Sequence, residues 1–148
     1  MSIITGTIDH DGAAVDVLIG VSGNRCARLV SVGHPIPPEA SLRLQIDTGS
    51  HVTGFLPTVF QALNIEHFRT ILLRTPSTRP GEAWEAKQYD VSLTLISGAD
   101  RTLIPSVHAI ASEDFDVEEG IQGIIGRDVL DRCVFEYFGP HKSYRLSF

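Results

Sequence analysis

One short segment of this chain carries residue types that could do bond-breaking chemistry: Leu44-Gln45-Ile46-Asp47-Thr48-Gly49-Ser50. A carboxylate stands at the end of an apolar run, followed by a hydroxyl and a glycine. Strands normally avoid Asp, so an acid at a strand end is either a turn-former or a placed functional group. Gly49 lets the backbone approach another group closely, and the Thr48 hydroxyl can lock the loop. The tripeptide alone is weak: average residue usage puts it in a chain of this length roughly a few per cent of the time. An Asx-type turn explains it equally well. Asp16, Asp90, Asp100 and Asp128 lack a following Thr/Ser-Gly, so Asp-Thr-Gly occurs once.

Other chemistries lose ground quickly. The 6 histidines are spread singly, and none forms an i, i+4 pair around a glutamate, so a metal site has no support and no cofactor is expected. Cys26 and Cys133 are too few and too far apart for a disulfide framework and read as small buried hydrophobes. With 148 residues, 43% of them hydrophobic and 20% charged, the chain has the apolar material for one packed core. Its net charge is −6, and Lys and Arg are scattered, which argues against nucleic acid. No apolar run is long enough to span a bilayer, and Met1 to Thr5 lacks the pattern of a signal peptide. No membrane partner and a cytoplasmic location are expected.

The elements around Asp47 read as short strands. Ile3–Ile8 and Ala14–Val21 flank the turn-forming Asp9-His10-Asp11-Gly12 and predict an opening hairpin. Cys26–Val32 is a third run of the same kind, and Leu42–Ile46 leads into the aspartate. A first helix is expected within Leu56–Ile65, starting near Pro57, and a second after Asp128 as N-cap. Between Ile71-Leu72-Leu73 and Tyr89–Leu95 lies the breaker-rich stretch Thr75–Glu82, the pattern of a long projecting hairpin. Thr102–Val107 and its continuation through Ile110 are further strands, and Asp114–Glu119 is an acidic, solvated loop. Phe135–Phe138 and Ser143–Phe148 form a final hairpin around Gly139-Pro140. The fold class is mostly β with two short helices, and its many short strands suit closed or sandwich-like sheets.

Gln45-Ile46-Asp47-Thr48-Gly49-Ser50, followed later by Ile124-Ile125-Gly126-Arg127-Asp128-Val129-Leu130, resembles the two signatures of the retropepsin-like aspartic proteases. The interval leaves room for that family's flap, at Thr75 to Gln88, and the resemblance covers Ala40 to the C-terminus. It implies a retropepsin-like closed β-barrel, the acid-protease half-lobe with one or two short helices, as one domain over residues 1–148. The stretch 1–22 is then an N-terminal extension. Asp47 is implied as the catalytic acid, Thr48 as the hydroxyl bracing two loops across a dimer, and Gly49 as a substrate backbone contact. Ser50, Trp84 and Ile125 are the candidate substrate-binding residues, with Trp84 alternatively an anchor of the hairpin. Arg127 is implied to tie its helix to the body and the dimer base. One departure stands out: His51 occupies the position where retroviral members often carry the acid that pairs with this arginine.

Hydrolysis without a metal needs one group to activate water and another to polarise the carbonyl, which two adjacent carboxylates do by sharing one proton. With one Asp-Thr-Gly, a two-fold homodimer supplies the second aspartate, and the final strand, Tyr144–Phe148, is a candidate to pair across the axis. The implied function is a homodimeric aspartic endopeptidase, a hydrolase acting on extended peptide or protein substrate. The alternatives are a catalytically inactive peptide-binding or dimerisation module of the same fold, and an unrelated barrel with a chance tripeptide.

Overall fold

Apolar residues at alternate positions of the longer strands fill the inside of a sheet that closes into a barrel. The computed structural model describes residues 1–74, 78–115 and 120–148. Thr75-Pro76-Ser77 of the expected flap and Asp116–Glu119 of the expected acidic loop lie outside the described residues. In chain order the first elements are β1 (Ile3–Thr7), β2 (Ala14–Val21), α1 (Gly23–Ser31), β3 (Ala40–Ile46), β4 (Gly54–Phe55) and α2 (Pro57–Ala62). They are followed by β5 (Arg69–Leu73), β6 (Trp84–Ser97), β7 (Asp100–Ala111) and β8 (Gly123–Ile125). The chain ends with α3 (Arg127–Leu130), β9 (Val134–Phe138), a 3₁₀ turn and β10 (Ser143–Ser147).

Strands β2, β3, β8, β4, β7 and β6 neighbour one another in that order, and β6 pairs back onto β2. The result is a closed barrel of 6 strands, the expected fold class. Closure removes open edges from the body of the molecule. The interior is filled from alternate positions: Val15, Val17 and Ile19 of β2, Leu42 and Leu44 of β3, and Val91, Leu93 and Leu95 of β6. Each such side chain contributes about 1.5–3 kcal/mol on burial. Phe60 of α2 and Val129 of α3 close the two helix-bearing sides. Pro105, which has no N–H to donate, sits inside β7 where the register against β6 shifts between Val91 and Leu93. Among the described residues, no helix is long and apolar enough to cross a membrane.

Four expectations are corrected. Residues 26–32 are not a strand but most of helix α1 and its C-cap, so among the described residues there are three α-helices rather than two. Ser22 caps it, accepting a hydrogen bond from the Arg25 N–H at 3.3 Å, and Cys26 and Leu29, three apart, face the barrel. The cap outweighs the β-propensity of the valines, and Val30 and Val32 remain exposed.

The opening hairpin also fails as a pairing. The turn at Asp9–Gly12 forms, yet β1 pairs with β10 and β2 with β3 and β6. Tyr144 is the wedge. Its ring occupies the space where Gly6 would carry a side chain, and its hydroxyl donates to the Ala14 carbonyl at 2.6 Å. A β1–β2 ladder is thereby pried apart at its start.

The final hairpin forms as expected, with β9 against β10, but β10 lies between β1 and β9. Both its edges are filled within the chain, so it cannot be the strand that pairs across an axis. Helix α3, finally, is capped by Gly126, and Asp128 sits in its first turn. The carboxylate is drawn away from the capping role by Thr53, as described next.

Candidate active site

The site begins where two parallel strands stop together. Gln45 and Ile46 of β3 lie beside Ile124 and Ile125 of β8, and the Asp47 N–H donates to the Ile125 carbonyl at 3.0 Å. From there the chain turns sharply: Asp47 Oδ1 accepts the Gly49 N–H at 2.9 Å, and the Asp47 carbonyl accepts the Ser50 N–H at 3.2 Å. The Asx turn is therefore real, and it orients the carboxylate instead of excluding a chemical role for it. A β-carbon at Gly49 would lie 3.1 Å from Asp47 Oδ1, so the turn favours glycine there.

Helix α3 braces this loop from below. The Ser50 carbonyl accepts the Arg127 N–H at 2.9 Å, and the His51 carbonyl accepts the Asp128 N–H at 3.3 Å. Gly126 permits the approach, because a β-carbon there would collide with the Val52 backbone. Thr53 and Asp128 then lock the two segments. The Asp128 carboxylate accepts the Thr53 N–H at 3.0 Å and the Thr53 hydroxyl at 2.7 Å, while that hydroxyl accepts the Gly126 N–H at 3.1 Å. Thr53 is fully buried, so each of these groups would be costly to leave unpaired.

Arg127 holds the solvent side. Its Nη1 donates to the Thr48 carbonyl at 2.9 Å, and its Nη2 lies 2.6 and 2.9 Å from the two ring nitrogens of His51. Guanidinium offers only donors, so the imidazole must present a lone pair to it. The histidine thus takes the place of an acid as the arginine's partner.

Above the loop is a cleft of ≈ 400 Å³. Asp47, Gly49, Ser50 and His51 line one side, and Leu73 and Trp84, facing each other across the β5–β6 pairing, line another. Val52, Ile110, Phe115 and Ile124 supply apolar walls, with Arg74 and Asp114 as further charged groups. Trp84 is 36% exposed, a large aromatic surface beside a carboxylate. A larger depression of ≈ 530 Å³, lined by Ser22, Arg25, Asn64 and Glu66 among others, holds none of the candidate residues. The cleft with Asp47 is the chemically informative one.

Of the six candidate residues, Asp47, Gly49, Ser50 and Trp84 come together at this cleft. Thr48 is exposed beside it, and its hydroxyl has no hydrogen-bond partner among the described residues. The Ser50 hydroxyl is engaged with Val52, donating to its carbonyl at 2.7 Å, so it shapes the loop. Ile125 is corrected: it is fully buried in the core, and the strand alternation of β8 turns Ile124 to the cleft instead. Sequence reasoning missed Thr53, whose only signal was a polar residue interrupting an apolar run, and the locking role of Asp128. It also left Arg127 without a partner.

Among the described residues, one group of potential metal ligands is close-set, the exposed turn residues Asp9, His10 and Asp11, and none of them lines the cleft. Burial raises the Cys133 thiol above its ordinary range, with Arg132 opposing, and this group too lies outside the cleft.

By sequence, no family model matches the chain, and no curated protein does. By structure, it is similar to a retropepsin-like aspartic protease from Rickettsia conorii, with a TM-score of 0.58 at 14% identity, over 99% of this chain and 90% of that one. The chain therefore has the fold of the retropepsin-like aspartic proteases.

Proposed function

We propose that this chain, as one domain over residues 1–148, is half of a homodimeric aspartic endopeptidase. The observation that carries the reading is Asp47 itself: an oriented carboxylate beside an apolar cleft with a β-hairpin against it, in a chain with one Asp-Thr-Gly. In the dimer, Asp47 of each copy meets its symmetry mate. One carboxyl keeps its proton and polarises the scissile carbonyl, while the other, ionised, takes a proton from the attacking water. The exposed Thr48 hydroxyl, without a hydrogen-bond partner among the described residues of one chain, braces the paired loops, and Gly49 lets the substrate backbone pass close. Extended peptide lies between the loop and the hairpin, with apolar side chains against Trp84, Ile110 and Ile124. The two unpaired cysteines, Cys26 and Cys133, fit a reducing compartment, and we place the enzyme in the cytoplasm.

The second reading, a peptide-binding or dimerisation module without turnover, is favoured by one observation: Arg127 finds His51 where an acid is common. Cleavage of a diverse peptide library from acidic to neutral pH, read by mass spectrometry beside Asp47→Asn, separates the two. Products from the wild type alone support the endopeptidase. Equal products from both remove Asp47 from the chemistry, and tight peptide binding by a dimer without products selects the module.

A further inference from the structure

We infer that a basic depression beside the cleft binds an acidic side chain of the peptide lying in that cleft, an inference that rests on the peptide-substrate reading above and names the substrate class. The depression has a volume of ≈ 450 Å³ and is lined by Arg69, Gln88, His108, Asp128 and Arg132, with Val52 shared with the cleft. Arg69 opens β5, and its guanidinium is fixed from two sides. Its Nε donates to Gln88 Oε1 at 2.5 Å, and its Cζ stands 5.3 Å from the centre of the Phe68 ring. Gln88 is itself buried and anchored, its Nε2 donating to the His108 carbonyl at 2.8 Å. Among the described residues, neither Nη of Arg69 has a hydrogen-bond or ion-pair partner, and neither has the Arg132 side chain, just past α3. A guanidinium held by Nε alone keeps a planar set of donors free for a carboxylate or a phosphate.

Two carboxylates nearby are engaged elsewhere. Asp128 already accepts hydrogen bonds from Thr53 and Val129. Asp90 accepts the Ser106 hydroxyl at 2.6 Å, lies 3.9 Å from His108 Nε2, and lines the next depression with Arg25 and Glu66. In a chain of net charge −6, two arginines without ion pairs in one hollow mark a place for an anion rather than a general basic surface. The sheet shows where that anion comes from. Arg69 and Leu73 share a face of β5, Gln88 and Trp84 share the matching face of β6, and Ile110 lies opposite Gln88 on β7. One sheet face therefore runs from the apolar end near Asp47 to the basic end at Arg69, about 13 Å along the strand. An extended peptide advances at the same rise. A residue about four positions from the one against Trp84 thus reaches Arg69, and the even spacing turns it to the same face. Two-fold symmetry gives the peptide such a hollow at each end.

The test uses fluorescently labelled peptides from the library that carry a Glu-Glu pair about four residues from the apolar centre, on either side, against the same peptides with Gln-Gln. Competitive cleavage gives the ratio of kcat/KM, and fluorescence anisotropy gives the ratio of Kd for any peptide bound without cleavage. The full chain is compared with Arg69→Gln/Arg132→Gln and with Arg101→Gln at the far end of the β6–β7 hairpin. Arg132→Gln alone serves where loss of the Gln88 contact unfolds the double variant, with circular dichroism as the check. The expected result is a preference for Glu on the order of tenfold in low salt, shrinking in about 0.5 M NaCl. It disappears in the double variant, falls about threefold in Arg132→Gln, and is unchanged in Arg101→Gln. No preference, or one that survives the double variant (or Arg132→Gln where the double variant is unfolded), overturns the site. Cleavage of both peptides then leaves the endopeptidase reading standing. Glu peptides bound preferentially and never cleaved overturn that reading and keep the site. A chain that neither binds nor cleaves either peptide overturns both. Saturable binding of inorganic phosphate by calorimetry, lost in Arg132→Gln, with equal treatment of the two peptides, overturns peptide docking and assigns the hollow to a free anion.

Discussion

Asp128→Ala is the perturbation whose cost the structure defines best. The carboxylate accepts three hydrogen bonds, from the Thr53 N–H, the Thr53 hydroxyl and the Val129 N–H at 2.9 Å. Removing it leaves two donors on a fully buried threonine without acceptors. An orphaned buried donor costs about 1–3 kcal/mol. Asp128 is itself only half-buried, so water recovers part of that loss, and the hydroxyl can rotate. The net expectation is a loss of about 3 kcal/mol, or roughly 6–12 °C in Tm for a domain of this size. Urea denaturation at neutral pH and fixed protein concentration measures it. Thr53→Val should cost about 1–2 kcal/mol, because it strips the Gly126 N–H of its acceptor. The double variant should fall short of the sum by at least about 1 kcal/mol, since both changes break one network. A cost for Asp128→Ala below about 0.5 kcal/mol, or strict additivity, would show that the loop and α3 are not locked through this pair.

Two further perturbations probe the surroundings. Because Arg127 donates to the His51 ring, a double-mutant cycle between them, read by urea melts, should give about 0.5–1 kcal/mol of coupling. With His51→Asp the coupling should persist, and a coupling of the native pair below about 0.2 kcal/mol would refute the assigned contact. Burial, the largest cause, raises the Tyr144 phenol above its ordinary value of 10.0, with Arg43 opposing and Asp16 adding. The folded state thus favours the protonated phenol, so its contribution is complete below about pH 10 and is lost as pH rises through the raised folded-state value. Tyr144→Phe should cost about 1 kcal/mol at pH 8 through the lost bond to Ala14, and the gap to wild type should narrow by pH 11 in urea melts.

The barrel was legible because its strands bury alternate residues, and a period of two survives in sequence wherever one face is dry. Leu42–Ile46 is of this kind, and Tyr89–Leu95 keeps the apolar/polar alternation in sequence although Ser92 and Thr94 are buried as well. The Asp47 turn was legible because its chemistry is local: Asp, Thr and Gly within three positions specify it. What failed was set by partners distant in sequence. Nothing in Ile3–Thr7 says that its neighbour is β10, some 140 residues away; that follows from one tyrosine seated over Gly6. Thr53 and Asp128 are likewise 75 residues apart, and neither residue announces the other. Helix α1 was lost for a different reason, since a capping serine competes with a valine-rich run and only tertiary packing of Leu29 decides between them.

Within one chain the Asp47 loop is held by the β8 carbonyl, the α3 amides, the Arg127 guanidinium and the Thr53–Asp128 lock. Among the described residues, the Thr48 hydroxyl is the polar side-chain group of the Asp-Thr-Gly turn left without a hydrogen-bond partner. The loop is therefore complete as a scaffold and, on the reading proposed, incomplete as a catalyst. Two aspartates brought together repel unless they share a proton, so dimer assembly must overcome a cost that the monomer never meets. A fold that holds each carboxylate in place beforehand leaves association to bear that electrostatic cost alone, without the entropy of ordering the loop. The proposed homodimer therefore predicts a folded, inactive monomer below the dissociation constant and peptide cleavage that falls with the square of chain concentration, while the urea midpoint for local unfolding of the Asp47 loop stays where the Asp128 network sets it.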